Sequence, residues 1–194
     1  MTVLPELDAD EVVLGNANLL GVYVAAVGAT APDEVAVDDE EWTTLGWVSE
    51  DGVKIKPERS IEELKAWQSP TAIKTTLKEF KITVDLQLLQ HNAQTLALYW
   101  GQPEPTEESP SGNITLDVDV TGDTIPEVAL LVDTRDGDRI ARYYFYQAQV
   151  VSVGELSIVR GGFQALPITF TALDPGTGIP ATVYLLSDDE SSPA

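Results

Sequence analysis

A two-residue hydrophobic rhythm constrains this chain more than any other feature. Phe80, Ile82, Val84, Leu86 and Leu88 alternate with Lys81, Thr83, Asp85 and Gln87. Successive side chains of a strand point to opposite faces, so this pattern predicts a half-buried strand roughly 30 Å long. Ile114, Leu116, Val118 and Val120 alternate with Thr115, Asp117, Asp119 and Thr121, which predicts a second strand with a polar face. Leu166, Ile168, Phe170 and Ala172 repeat the rhythm, and Pro167 within it points to an edge strand or a bulge. Residues 127–133 and 139–151 read as a hairpin turned at Asp136-Gly137, because both positions tolerate positive φ. Asp51-Gly52 predicts the same between 42–49 and 53–58. Further strands are expected over 22–27 and 182–186. One segment has helical spacing: Asn92 is a good N-cap, Ala93, Leu96, Ala97 and Trp100 follow i, i+3, i+4, i+7, and Gly101 supplies the stop. The expected fold is mainly β, an antiparallel sandwich or barrel with one short flanking α-helix.

At 194 residues and 43% hydrophobic, the composition excludes collagen-like, coiled-coil and wholly disordered chains. One domain over 1–194 is expected, large enough to bury about 70% of its unfolded surface without disulfides or metal. The absence of cysteine removes disulfides, zinc fingers, iron–sulfur ligation and thiol nucleophiles, and fits a reducing, intracellular origin. Residues 12–32 carry no charge, but Glu6, Asp8, Asp10 and Glu11 stand where a signal or membrane span would place Lys or Arg, so a buried strand after a Gly/Asn loop is expected and no targeting segment.

The net charge is −21, which repels phosphate backbones and anionic lipid and argues against adhesive DNA binding or a membrane-surface role. Half of the acidic residues fall in four clusters, at 6–11, 33–41, 104–108 and 188–190, each beside Pro, Gly or a terminus. They read as solvated: an acidic loop over 29–41 and a flexible acidic C-terminal tail over 187–194. Seven of the 11 basic residues lie between Lys54 and Lys81, where four glutamates leave a local +3. For an isolated monomer this belt is a solvated face; for a self-assembling chain it complements a neighbour's acidic loops.

No catalytic constellation survives inspection. Asp117-Val-Asp119-Val-Thr121 resembles the D-x-D-x-T signature of haloacid-dehalogenase-like phosphatases. That chemistry needs a buried parallel strand feeding a helix and a Mg²⁺ site, whereas alternation here places both aspartates on a polar strand face. The run from Asp133 to Asp138 departs from a calcium loop, with Arg135 at its third position and Tyr144 at its twelfth. His91 is the only histidine and precedes a helix cap, and no phosphate-binding glycine loop is present. Neither a metal nor a cofactor is expected. Trp42, Trp47 and Trp100 sit in apolar elements and are expected in the core. Trp67 lies in a mostly polar arm between strands, over 59–76, and reads as an interface anchor, since tryptophan leads the residues that dominate binding energy, with core packing as the competing reading.

A set of segments then carries a resemblance. Gly46-Trp-Val-Ser-Glu-Asp-Gly52-Val53, Ala66-Trp67-Gln68-Ser69, Asn92-Ala-Gln-Thr-Leu-Ala-Leu-Tyr-Trp-Gly101, Arg142-Tyr-Tyr-Phe and Gly162-Phe-Gln-Ala-Leu-Pro-Ile-Thr169 recur in that order. Over residues 42–173 the chain resembles the major tail, or tail tube, proteins of long non-contractile-tailed bacteriophages, especially those infecting actinobacteria. The resemblance implies a non-enzymatic β subunit made in the host cytoplasm and placed in the virion tail. It implies hexameric rings stacked into a hollow tube, with the tape-measure protein, a tail terminator and tail-tip proteins as partners. DNA would be cargo in the bore, and no membrane would be involved.

Two surface expectations follow from that role. A wall that conducts DNA must not hold it, and six copies at −21 carry a formal −126; screening over about 8 Å leaves mainly the wall-lining charges to act. Thr115, Asp117, Asp119 and Thr121 are the expected bore face, with Asp85 beside Gln87 as second choice. Between copies, Lys54, Lys56, Arg59, Lys65 and Lys74, with Trp67, are expected to reach acidic residues such as Asp38, Asp39 and Glu40 of a neighbour. The arm has little of its own to bury, so disorder in the free subunit is compatible with its composition. Two other classes compete: a secreted or surface β-sandwich binding module, and a phosphatase using Asp117.

Overall fold

The computed structural model describes residues 20–32, 37, 40–69, 71–103, 105, 107–108, 113–119, 125–136 and 139–187. Its strands are β1 (Leu20–Ala25), β2 (Thr43–Thr44), β3 (Lys54–Lys65), β4 (Ala72–Leu88), β5 (Glu107–Glu108), β6 (Asn113–Ile114), β7 (Glu127–Asp136), β8 (Arg139–Val153), β9 (Leu166–Ala172) and β10 (Ala181–Ser187). One helix, α1 (Ala93–Trp100), follows β4. An eight-stranded antiparallel sheet runs β2-β1-β7-β8-β9-β4-β3, with β10 added to β8, and β5 and β6 form a separate small ribbon.

The sheet closes on itself. Leu45 donates to Val22 of β1 at 2.8 Å, and four residues later Ser49 donates to Gln87 of β4 at 2.9 Å. Val48 bridges Leu88, so residues 42–49 cross from one edge of the sheet to the other. Closure of this kind removes open edges at that end and gives a barrel. The interior gathers Val22, Val24, Leu45, Val84, Leu86, Leu88, Leu130, Val132, Phe145, Leu166, Ile168 and Phe170 in one cluster. The mainly β architecture with one flanking helix therefore holds.

α1 forms where the sequence places it. The Asn92 side chain accepts from Thr95 N at 2.8 Å, and the Thr95 hydroxyl accepts from Asn92 N at 2.9 Å, so two otherwise unpaired donors are satisfied reciprocally. Gly101 turns left-handed at φ 64° and ends the helix. The buried face is centred slightly further along than expected: Ala93, Ala97, Leu98 and Tyr99 are buried, whereas Trp100 is half exposed.

Several expectations change. The 51–52 turn does not join a hairpin. Ser49 accepts from Gly52 at 2.9 Å, and the chain then resumes along the same edge of β4, with Lys54 opposite Asp85. The 127–153 hairpin turns one residue later than predicted, because Asp136 pairs with Arg139; residues 137–138 lie outside the described set. Pro167 is not on an edge, since β9 lies between β8 and β4. It sits at the end of the β8–β9 pairing, where its carbonyl accepts from Gly154 at 2.9 Å and its missing N–H interrupts no ladder; the bulge appears on the partner strand, between Val150 and Ser152. Of the described residues in 114–120, only Ile114 is strand, in β6 paired with β5, and residues 115–119 are irregular; Val120 lies outside the described residues. Trp42 is buried as expected, but Trp47 is 73% exposed.

Candidate assembly surfaces

The 59–76 stretch is not a linker. β3 and β4 zip along their whole length, from Lys54 opposite Asp85 to Lys65 opposite Ala72. β9 supports β4 only between Thr83 and Leu88. Beyond that point the hairpin runs on as a two-stranded ribbon, about 30 Å from Ile82 to Ala72. The predicted strand stopped at Phe80 because the outer half of β4 has neither face buried, and so shows no two-residue rhythm.

The side of the ribbon continuous with the core keeps an apolar character. Phe80 stands opposite Arg59 and Leu77 opposite Ile61, all exposed. The Arg59 guanidinium lies 5.5 Å from the Phe80 ring centroid, which covers part of that apolar face. At the end of the ribbon Trp67 is 100% exposed, touching nothing that would stabilise the fold.

The basic residues are partly engaged within the ribbon. Lys56 pairs with Glu58 at 2.6 Å, Lys65 with Glu63 at 3.7 Å, and Lys78 with Glu62 at 4.0 Å. The hydrogen bond between Lys56 and Glu58, reinforced by their opposite charges, raises the lysine pKa and lowers that of the glutamate. Both groups are exposed, so the pair fixes local geometry more than it stabilises the fold. Lys74 projects opposite Leu64 near the end. Of the acidic residues expected to meet this belt, Glu40 is exposed, and Asp38 and Asp39 lie outside the described residues.

The expected bore residues separate. Thr115, Asp117 and Asp119 are exposed on the irregular segment. Gln102, just past α1, holds it by accepting from Asp119 N at 3.3 Å and donating to Asp119 O at 3.1 Å. Thr121 lies outside the described residues. Asp85 is elsewhere, on the polar face of β4, accepting from the Thr169 hydroxyl at 2.6 Å in an open groove of about 210 Å³ shared with Asp51, Lys54 and Gln87. Lys54 stands opposite Asp85 and offsets one of the two acidic charges of that groove. By contrast, no Lys or Arg occurs between Lys81 and Arg135.

A third surface was not legible in the sequence. The second face of β7 and β8 carries Ala129, Leu131 and Tyr144, and residues 29–32 with Trp42 lie across it as a strap. Tyr144 Oη donates to Ala29 O at 2.6 Å, Trp42 Nε1 to Thr30 O at 3.3 Å, and Arg142 Nη1 to Pro32 O at 2.6 Å. Arg142 is 0% exposed and also grips Asp133 with two nitrogens, at 2.9 and 2.7 Å. The start of the expected acidic loop is thus fastened down.

Burial raises the pKa of Tyr144 and of Tyr23 above the ordinary 10.0, with smaller contributions from Tyr146 and Asp133 respectively. A raised folded-state value means the unfolded chain loses these protons first, so their contribution is intact below about pH 10 and is lost as pH rises through the folded values. Thermal unfolding between pH 8 and 12 is expected to show a plateau and then an alkaline decline that Tyr144→Phe makes shallower. A profile that stays flat to pH 12 would contradict the burial of these hydroxyls.

Among the described residues no group of three His, Asp or Glu side chains is placed to hold a metal ion. No helix of the described residues is long and apolar enough to cross a membrane. Asp117 does not end a buried parallel strand, so the geometry its phosphatase-like motif requires is missing.

Residues 6–194 match the family model for phage tail tube proteins. The chain is 30% identical over 173 residues to the major tail protein Gp23 of Mycobacterium phage L5, covering 82% of this chain and 84% of that protein. Among solved structures, a chain of the anti-feeding prophage baseplate, determined by cryo-EM with 6-fold symmetrisation, aligns over 88% of this chain and 94% of its own length. The TM-score of that alignment is 0.40, at 9% identity.

Proposed function

The chain belongs to the phage tail tube protein family, and from that premise we propose that copies of it assemble into stacked, hexameric rings enclosing a negatively charged conduit for the genome. It is a structural component of the virion tail and not an enzyme. The match across 6–194 carries the reading, and the projecting ribbon supports it: a monomer has no use for an apolar, basic extension that its own fold leaves uncovered.

Lys54, Lys56, Arg59, Lys65, Lys74 and Trp67 form the contact surface toward other copies, complementary to acidic groups such as Glu40 and the neighbouring Asp38 and Asp39. Asp117 and Asp119, in the stretch without basic residues, face the bore, and Asp85 stays the second choice because Lys54 stands opposite it. The tape-measure protein fills the tube during assembly, and terminator and tip proteins close its ends. Concentrated purified protein examined by negative-stain microscopy is expected to show rings or hollow tubes. A chain that stays solitary at high concentration, and is missing from purified virus particles, overturns the reading. Asp117 and Asp119 on the outer wall of an assembled tube would overturn the bore assignment alone.

A further inference from the structure

We propose that the end of the β3–β4 ribbon of one copy docks on the 154–165 loop of the next, in a head-to-tail contact that repeats along the tube. The inference rests on the tail-tube reading and names the surface that receives the ribbon.

Two exposed apolar features lie at opposite ends of the same strand. The ribbon leaves the barrel at the start of β4, carrying Trp67, Ile61 and Leu77. The 154–165 loop joins β8 to β9 at the other end, because Leu166, the residue after it, pairs with Leu88, the last residue of β4. The loop exposes Ile158 (71%), Val159 and Phe163 (83%). It is tied to the barrel at both roots, where Tyr99 Oη donates to Gly154 O at 2.7 Å and His91 Nε2 lies 2.9 Å from Gln164 O. A fixed loop that displays a phenylalanine to water is a receiving surface awaiting an apolar guest.

β4 separates the two features by its 17 residues, about 55 Å, so neither can cover the other within one chain. A contact between different surfaces at opposite ends of identical subunits does not close on a pair but propagates. Charge favours the same partner. The ribbon belongs to the 54–81 stretch, which carries a local +3 on a chain of −21; the receiving loop balances Glu155 against Arg160, and Glu50 and Asp51 lie beside it, in the turn next to Gln87. A second copy of this chain, presenting its ribbon, is therefore the occupant.

The chain has no cysteine, so engineered pairs report without background. Gln68→Cys beside the ribbon end and Ser157→Cys in the loop, combined in one chain and assembled, are expected to give on oxidation a ladder of linked copies extending well past a hexamer. Gln68→Cys with Thr177→Cys, whose loop joins β9 to β10 at the ribbon end of the barrel, is expected to give little product. Tubes that form without the first crosslink, or that give both equally, overturn the docking and leave the tail-tube reading standing. An unmodified chain that forms no tubes or rings and is missing from purified virus particles overturns both. Independently of cysteine chemistry, Phe163→Asp is expected to block assembly at least tenfold while the subunit melts as the parent does; a variant that assembles normally overturns the proposal.

Discussion

Trp67→Ala is expected to abolish tube formation and to leave the melting temperature of the isolated subunit within about 2 °C of the parent. The indole is fully exposed at the ribbon end, so its removal breaks no intramolecular packing, and exposed substitutions shift stability by about 0.5 kcal/mol or less. Between copies the arithmetic differs. A tryptophan seated at the centre of an interface typically contributes about 2–4 kcal/mol, and 2 kcal/mol already weakens each contact roughly 30-fold. Because every subunit of a tube repeats the contact, the loss multiplies along it. Microscopy of concentrated protein and differential scanning calorimetry on the same preparation separate the two effects. Normal tubes would end the anchor role, and a large fall in melting temperature would show that Trp67 packs against its own subunit.

Arg142→Met carries the largest expected effect on folding. It leaves the Asp133 carboxylate beneath the strap without its partner and removes the donor held by Pro32 O. Breaking a buried pair on one side costs about 3–5 kcal/mol, which for a chain of this size lowers the melting temperature by roughly 6–20 °C. Asp133→Leu added to Arg142→Met is expected to recover much of that loss, since replacing a buried ion pair by apolar groups of similar volume is often nearly neutral. Thermal unfolding of both variants tests this. A single variant that melts within about 3 °C of the parent would mean that the pair and its strap contribute little.

How far the sequence revealed the fold depended on what each strand buries. Ile82 to Leu88 announced β4 because one of its faces meets the core, while Ala72 to Glu79 left no rhythm because both of its faces meet water. Residues 115–119 had the rhythm without the strand, since alternation describes faces and says nothing of a partner to complete the ladder. The Asp133–Arg142 pair was hidden by register. A turn at Asp136-Gly137 would set Asp133 against Ile140, and the one-residue shift observed sets it against Arg142. Trp67 drew notice because it stood alone in a polar stretch. Phe163 and Ile158 did not, because an apolar residue near glycines reads equally well as a loop packed on the core, and only solvent exposure tells the two apart.

The ribbon's ladder has a kinetic consequence. A disordered extension meets its target as a search among conformations and must give up that freedom on arrival, at about 1–2 kcal/mol for each residue fixed. Here the strands are already zipped to within a few residues of the end, so the entropy has been surrendered within the subunit before any collision. In the proposed docking each arriving copy would present a stiff peg, and tube growth would be set by how often pegs meet sockets at the right angle, with no folding step to wait for.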